Sequence, residues 1–355
     1  MTGLIPIPLA DMIHIEIIGR PQWQAIRRVS WITALVTCQI FAGRLACAQT
    51  SLPGSGYVET TDRARLYFHT VGSGSPTVIV PAGLFLERDF VRLGHGRTLV
   101  FYDMRGRGRS SPIADSTHVS IDLDVADLEA VRRHIGAERF IPLGWSYLGM
   151  MVMRYAVIHP DHVDRIVQVG PVGRVLGTRY PDSLVAHDSV PVPDSTSYAD
   201  LMRLRANGLP ASEPREYCEQ EYRVLRVRLV GDGRKAVQVP DLCAMQNEWP
   251  VHLDPHQRWL FTSLARSEPP SWKQVATLTV PVLTIHGTRD RNAPYGGGRE
   301  WASRLPNGRL LTVPGAAHMV WLDAPDVVYP ALERFLSGGW PLGAVHPPIL
   351  DDAQP

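Results

Sequence analysis

Phe140-Ile141-Pro142-Leu143-Gly144-Trp145-Ser146-Tyr147-Leu148-Gly149 decides how this chain reads. An apolar run enters a serine flanked at close range by glycines. A helical run, Met150 to His159, leaves it. A serine on a sharp strand-to-helix turn is held in a strained backbone conformation with its hydroxyl exposed. The residue two before it must be small, and Gly144 meets that demand. The residue two after it is usually glycine as well, and here it is Leu148.

Short apolar stretches alternate with helical ones on both sides of this turn. Tyr57 to Glu59 and Ala64 to Val71 read as an opening hairpin. Thr77–Val80, Arg97–Tyr102, Arg139–Leu143, Arg165–Val169, Val280–Ile285 and Arg309–Val313 read as strands. Asp122–Ile135, Leu148–His159 and Val327–Leu336 carry helical spacing. Buried strands separated by helices predict an α/β fold with a mostly parallel sheet covered on both faces. The rhythm stops between Gly173 and Trp272, where Pro, Arg, Glu and aromatics dominate. We read 49–172 and 273–337 as the core, 173–272 as an inserted, mainly helical cap, and 338–355 as an irregular tail.

Composition sets outer limits. The chain has 355 residues, 45% of them hydrophobic, which is ample for a large core. A formal net charge of +1 with no long charged block gives no sign of nucleic-acid binding. Arg27-Arg28, the apolar run Val29–Gly43 and Ala46-Cys47-Ala48 resemble a secretory signal peptide within residues 1–48, cleaved near Ala48. That predicts an exported protein, periplasmic or secreted, with no stable membrane span after cleavage. A retained anchor and an N-terminal helix are the competing readings. Export would leave Cys218 and Cys243, and an even pair in an oxidising compartment is expected to form a disulfide. Such a loop contributes about 3–4 kcal/mol by the chain-entropy estimate.

Four further motifs stand around the serine turn. Asp103-Met104-Arg105-Gly106-Arg107-Gly108-Arg109-Ser110 fits a D-x-R-G-x-G-x-S loop. His159-Pro160 closes the helix behind the serine. Gly287-Thr288-Arg289-Asp290 with Pro294 follows one late strand, and Gly315-Ala316-Ala317-His318 follows another. With these, the chain from about Gly56 to Leu336 resembles the α/β-hydrolases, the large family that includes proline iminopeptidases and many small esterases. The chain order Ser, Asp, His is the one that fold requires.

The chemistry of the residues points the same way. A serine hydroxyl needs a base within reach, histidine supplies one near neutral pH, and a carboxylate fixes the histidine tautomer. Ser146, His318 and Asp290 are the candidate nucleophile, base and acid. Gly170-Pro171-Val172-Gly173, where some relatives place the acid, holds no carboxylate. The oxyanion donors expected are the backbone N–H groups of Tyr147 and of Leu84, in Pro81-Ala82-Gly83-Leu84-Phe85, where many relatives have His-Gly. Phe85, Trp145, Glu248 and Trp249 are candidates for substrate contact.

The expected substrate is a small molecule or short peptide, with no cofactor and no metal. Acids in the cap (Glu213, Glu216, Glu219, Glu221, Glu248) would suit the free amino end of a peptide. The same acids equally suit a solvated helix face. Aromatic and apolar cap residues, including Trp249 and Trp259, would suit a small apolar ester. A catalytically silent binding module on the same fold is the remaining alternative. His159 and His162 lie three apart at a helix end, and a zinc site there would need further ligands. Gly72-Ser73-Gly74-Ser75 lacks the Lys-Ser/Thr of a phosphate loop and reads as a turn. Arg105, Arg107 and Arg109 read as structural rather than anion-binding.

Overall fold

The computed structural model describes residues 54–187, 198–208, 212–241, 243 and 259–350. The expected signal segment, Glu248 and Trp249 lie outside the described residues. Eight strands form one sheet: β1 (Ser55–Glu59), β2 (Arg65–Gly72), β3 (Thr77–Pro81), β4 (Thr98–Tyr102), β5 (Ile141–Trp145), β6 (Ile166–Val169), β7 (Val282–Gly287) and β8 (Gly308–Val313). Their order is β1-β2-β4-β3-β5-β6-β7-β8. β1, β2 and β4 pair antiparallel, and every pairing from β4 through β3 to β8 is parallel.

The described helices, in chain order, are α1 (Gly83–Phe90), α2 (Ile121–His134), α3 (Tyr147–Ile158), α4 (Tyr198–Ala206), α5 (Pro214–Leu229), α6 (Trp272–Val275), α7 (Tyr295–Arg304), α8 (Val320–Asp323) and α9 (Pro325–Leu336). Strands β4, β6 and β7 are buried along their whole length, which is why they read as mostly apolar rather than alternating, with Gln168, Thr284 and His286 as buried polar exceptions. Ser120 caps α2 by accepting from the N–H of Leu123, and Asp122 and Asp124 in its first turn suit the positive end of the helix. Among the described residues no helix is long and apolar enough to cross a membrane.

The structure departs from the sequence-based expectation in four places. Helix α1 replaces an expected loop after β3. It starts from Ala82, whose φ of 59° is left-handed and costly for a residue with a Cβ, so nothing in the local sequence announces the turn. Strand β5 runs on through Gly144 and Trp145, because these pair with Gln168 and Val169 of β6. Helix α9 begins at Pro325, whose fixed φ and missing N–H suit a first helical position. The described part of the tail, 338–350, contains no regular element, yet Val345 pairs with Leu310 and pins it to the sheet edge.

The arginine-rich loop after β4 is structural in its contacts. Arg105 is buried and forks onto Asp127 of α2 at 2.6 and 2.7 Å while also reaching Asp62 at 2.7 Å. Asp103 accepts from the backbone and side chain of Arg109, and Ser110 Oγ donates to the Asp103 carbonyl. Between β6 and β7, α4 and α5 pack through Leu201, Tyr217 and Val224. Cys218 on α5 is disulfide-bonded to Cys243, the pairing expected from the sequence. Intact mass of the non-reduced protein after alkylation under denaturing conditions should therefore show no adduct on Cys218 or Cys243. Adducts on both would remove the disulfide.

Candidate active site

The serine turn is built by close packing of backbone on backbone. Ser146 takes φ 59° and ψ −126°, outside the helix that follows it. Its N–H donates to the Val169 carbonyl of β6 at 3.0 Å, which fixes the strained residue to the neighbouring strand. A Cβ on Gly144 would lie 2.2 Å from the Leu148 carbonyl oxygen, so no side chain fits there. Leu148 itself joins the core with 5% exposure. The close approach expected at its position falls one residue later: a Cβ on Gly149 would stand 2.8 Å from Pro171 Cβ. The departure from the usual pattern is thus absorbed by the core on one side and by Gly149 on the other.

Asp290 and His318 come from turns beyond β7 and β8. His318 Nδ1 and Asp290 Oδ2 lie 2.7 Å apart, and both side chains are buried. Asp290 Oδ1 accepts from the backbone N–H groups of Asn292 and Ala293 at 2.9 and 2.8 Å. Burial by itself would raise the Asp290 pKa. The His318 charge and the hydrogen bonds from His286 and His318 outweigh it and hold the carboxyl below the usual carboxylate range. Gly170, at φ +48°, packs on this pair: a Cβ there would be 3.2 Å from Asp290 Oδ2 and 3.3 Å from His318 Nδ1. The loop in which some relatives carry the acid is therefore filled by the pair itself. Among the described residues the Ser146 hydroxyl makes no hydrogen bond, while its backbone is bonded on either side of Gly170, to Val169 and Val172.

The remaining expected residues fall around the same rim. The Trp145 indole N–H donates to the His318 carbonyl at 3.0 Å, and its ring lies 4.9 Å from the imidazole. Phe85, nearly buried on α1, faces Trp145 at 6.4 Å. Tyr147 opens α3 and Leu84 lies in the first turn of α1, so both expected oxyanion donors are helix-initial N–H groups. Of the cap acids, Glu213, Glu216 and Glu219 are exposed on or beside α5. Glu219 pairs with Arg215 and Glu216 with Gln220. A cavity of about 270 Å³ lies between α3 and the segment leading to α6. Met150, Leu264, Val175 and Trp301 wall it, with Arg154 and Arg174 at its edge, and neither Ser146 nor His318 lines it.

Sequence reasoning missed two carboxylates. Asp323, on α8, accepts from the N–H groups of Ala317 and Gly231, tying the histidine turn to the chain leaving α5. Asp124 is buried beneath the residue after the serine and accepts from the Tyr147 hydroxyl at 2.6 Å. The only sequence signal for it was an acid on the face of α2 that also carries apolar residues.

Glu129, His159 and His162 do come together, with donor atoms within 4.8 Å of one another. Glu129, however, is already held by Arg132 at 2.7 and 2.8 Å and by the Tyr155 hydroxyl at 2.7 Å. A cation there would have to sit beside a guanidinium, so the cluster reads as an ion pair with stacked imidazoles.

Burial pushes Asp124 up to about 7, against the pull of the Tyr147 hydrogen bond. A carboxyl whose pKa rises on folding stabilises the fold less as pH climbs from its ordinary value towards the raised one. Asp124→Asn keeps an acceptor for Tyr147 but removes this titration. The melting temperature of the variant relative to wild type should rise by several degrees between about pH 5 and about pH 8, at about 2–4 °C per kcal/mol. A difference independent of pH would contradict the buried-acid assignment.

Comparison with known proteins agrees with this geometry. The alpha/beta hydrolase fold family model matches residues 76–325. A probable proline iminopeptidase of Streptomyces coelicolor is 31% identical over 128 residues, covering 32% of this chain and 39% of that protein. The polyketide synthase ThaQ of Burkholderia thailandensis is 26% identical over 276 residues, covering 75% of this chain but 12% of its own length. The chain thus spans well under half the length of these curated relatives. Among solved structures, an esterase from a Rhodococcus species superposes with a TM-score of 0.60 at 19% identity, over 81% of this chain and 99% of that one. An esterase from Exiguobacterium antarcticum gives 0.61 at 16% identity, over 79% and 99%. At such identities the structural likeness is one of fold. The sheet order, the strained serine between β5 and α3, and a family match over most of the chain lead to one conclusion: this protein belongs to the alpha/beta hydrolase fold family.

Proposed function

We propose that the protein is a serine hydrolase that cleaves an ester or amide bond of a small substrate through an acyl-enzyme. The observation that carries this reading is the buried 2.7 Å contact between His318 Nδ1 and Asp290 Oδ2, which, like the strained Ser146, follows the C-terminal ends of parallel strands. Asp290 holds the proton on His318 Nδ1, which leaves Nε2 as the base. Closure of Ser146 on Nε2 occurs in the substrate complex, where such hydrogen bonds commonly tighten. Ser146 Oγ then attacks the carbonyl carbon while its proton passes to His318. The N–H groups of Tyr147 and Leu84 receive the oxyanion, helped by the positive ends of α3 and α1. Collapse of the tetrahedral intermediate expels the alcohol or amine, which takes the proton from His318. Water repeats the sequence and frees the acid.

Ester substrates are favoured over peptides with a free amino end by one observation. Glu216 and Glu219 of α5 are engaged with Gln220 and Arg215 at the exposed face of the helix. Export, the cap boundaries at 173 and 272, and a role for Glu248 or Trp249 in holding the substrate remain part of the proposal. A fluorophosphonate probe should label the wild-type protein and fail on Ser146→Ala, with turnover lower by at least about 10³-fold. Wild type that takes no label would refute the serine-hydrolase reading. A panel of p-nitrophenyl esters against proline p-nitroanilide should then give turnover on short esters. Turnover on the anilide alone would reverse the order of the two substrate classes.

A further inference from the structure

We propose that His286 is a positioning residue for the acid of this site, a second imidazole that shares Asp290 with His318 and tunes the base through it. This rests on the serine-hydrolase reading above. His286 is the penultimate residue of β7 and is fully buried. Its Nε2 lies 3.2 Å from Asp290 Oδ2 and 3.0 Å from the Ala293 carbonyl oxygen. Two acceptors facing one ring nitrogen require that nitrogen to carry the proton. Among the described residues the buried Nδ1 has no hydrogen-bond partner, and α7 passes close enough that a Cβ on Gly298 would lie 2.1 Å from it. A second proton on Nδ1 would be a buried charge without an acceptor. Nε2 is therefore the ring nitrogen that donates to both acceptors.

This donor completes the shell of Asp290. Oδ2 accepts from His318 at 2.7 Å and His286 at 3.2 Å, while Oδ1 accepts from the N–H groups of Asn292 and Ala293. Four donors from three directions fix the plane of the carboxylate, and with it the plane of the His318 imidazole. They also set its strength. Each N–H given to a carboxylate stabilises the charged form and makes it less basic. His286 thereby keeps the shared proton on His318 Nδ1 and moderates how strongly Asp290 stabilises the imidazolium. Besides Asp290, the titratable group packed against His286 is Tyr295 of α7, edge-on at 5.7 Å, whose hydroxyl is engaged with Thr312 Oγ1 at 2.6 Å.

The test compares His286→Phe, which keeps a ring and removes the donor, with His286→Gln, which keeps an N–H. In His286→Phe the acid limb of the kcat/KM profile on a p-nitrophenyl ester should move up by about 0.5–1 pH unit. Its kcat should fall about tenfold, with KM little changed. His286→Gln should return the limb towards wild type, which a purely space-filling ring would not do. Imidazole ¹⁵N NMR of the full chain provides a readout that needs no turnover. Wild-type His286 should carry its proton on Nε2, and the His318 titration should move up in His286→Phe. A His286 that carries its proton on Nδ1, or a His318 titration unmoved in a folded His286→Phe, would overturn the proposal. Absence of probe labelling at Ser146 would instead strike the hydrolase reading, so the two failures are told apart.

Discussion

The approach of the Leu148 carbonyl to Gly144, close enough to leave no room for a Cβ, is the constraint on which the rest of the site depends. Strand β5 must end and helix α3 must begin within two residues, and backbone crosses backbone with no room for a Cβ. That closeness forces Ser146 to positive φ, a conformation that costs on the order of 1–3 kcal/mol for a residue with a side chain. The N–H bond from Ser146 to Val169 and the burial of α3 against the sheet hold the residue there. Among the described residues only Arg63, Ala82 and Ser146 are non-glycine residues at positive φ. Two of the three stand where strands β3 and β5 turn into helices α1 and α3. Strain is thus concentrated where the expected oxyanion donors begin their helices.

Around that turn the side chains are supported rather than merely placed. Trp145 holds the His318 main chain, Gly170 gives the Asp290–His318 pair room, and Asp323 binds the backbone of the histidine turn. The same Asp323 accepts from Gly231, and the Met319 N–H donates to the Leu229 carbonyl. The chain leaving α5 therefore docks directly on the turn that carries His318. The segment between β6 and β7 is thus fastened, partway along its length, to the turn that carries the proposed base.

The charged groups follow one physical rule: buried ions occur in sets that satisfy each other. Arg105 is buried because Asp62 and Asp127 occupy its donors, and Asp290 is buried because four donors surround it. Asp124 is the exception. Among the described residues its hydrogen-bond partner is a neutral hydroxyl, and burial raises its proton affinity. That contrast explains why Asp124 and Asp290, both buried near the serine, are pushed in opposite directions.

Much of the fold was legible because the apolar runs of the buried strands and the spacing of α2 and α3 are local properties. Ser146, Asp290 and His318 could be proposed from chain order and from their positions just beyond strands. The sequence by itself determined the alternation of elements, the small residue at 144 and the candidate residues of the site. Only the tertiary structure decided where Leu148 goes, that Gly149 meets Pro171, and that Ala82 opens a helix. It also brought His286, Asp323 and Asp124 to their partners. The reason is that a side chain's spacing records which face it lies on, whereas the atom it meets across the sheet belongs to a residue that can be tens or hundreds of positions away.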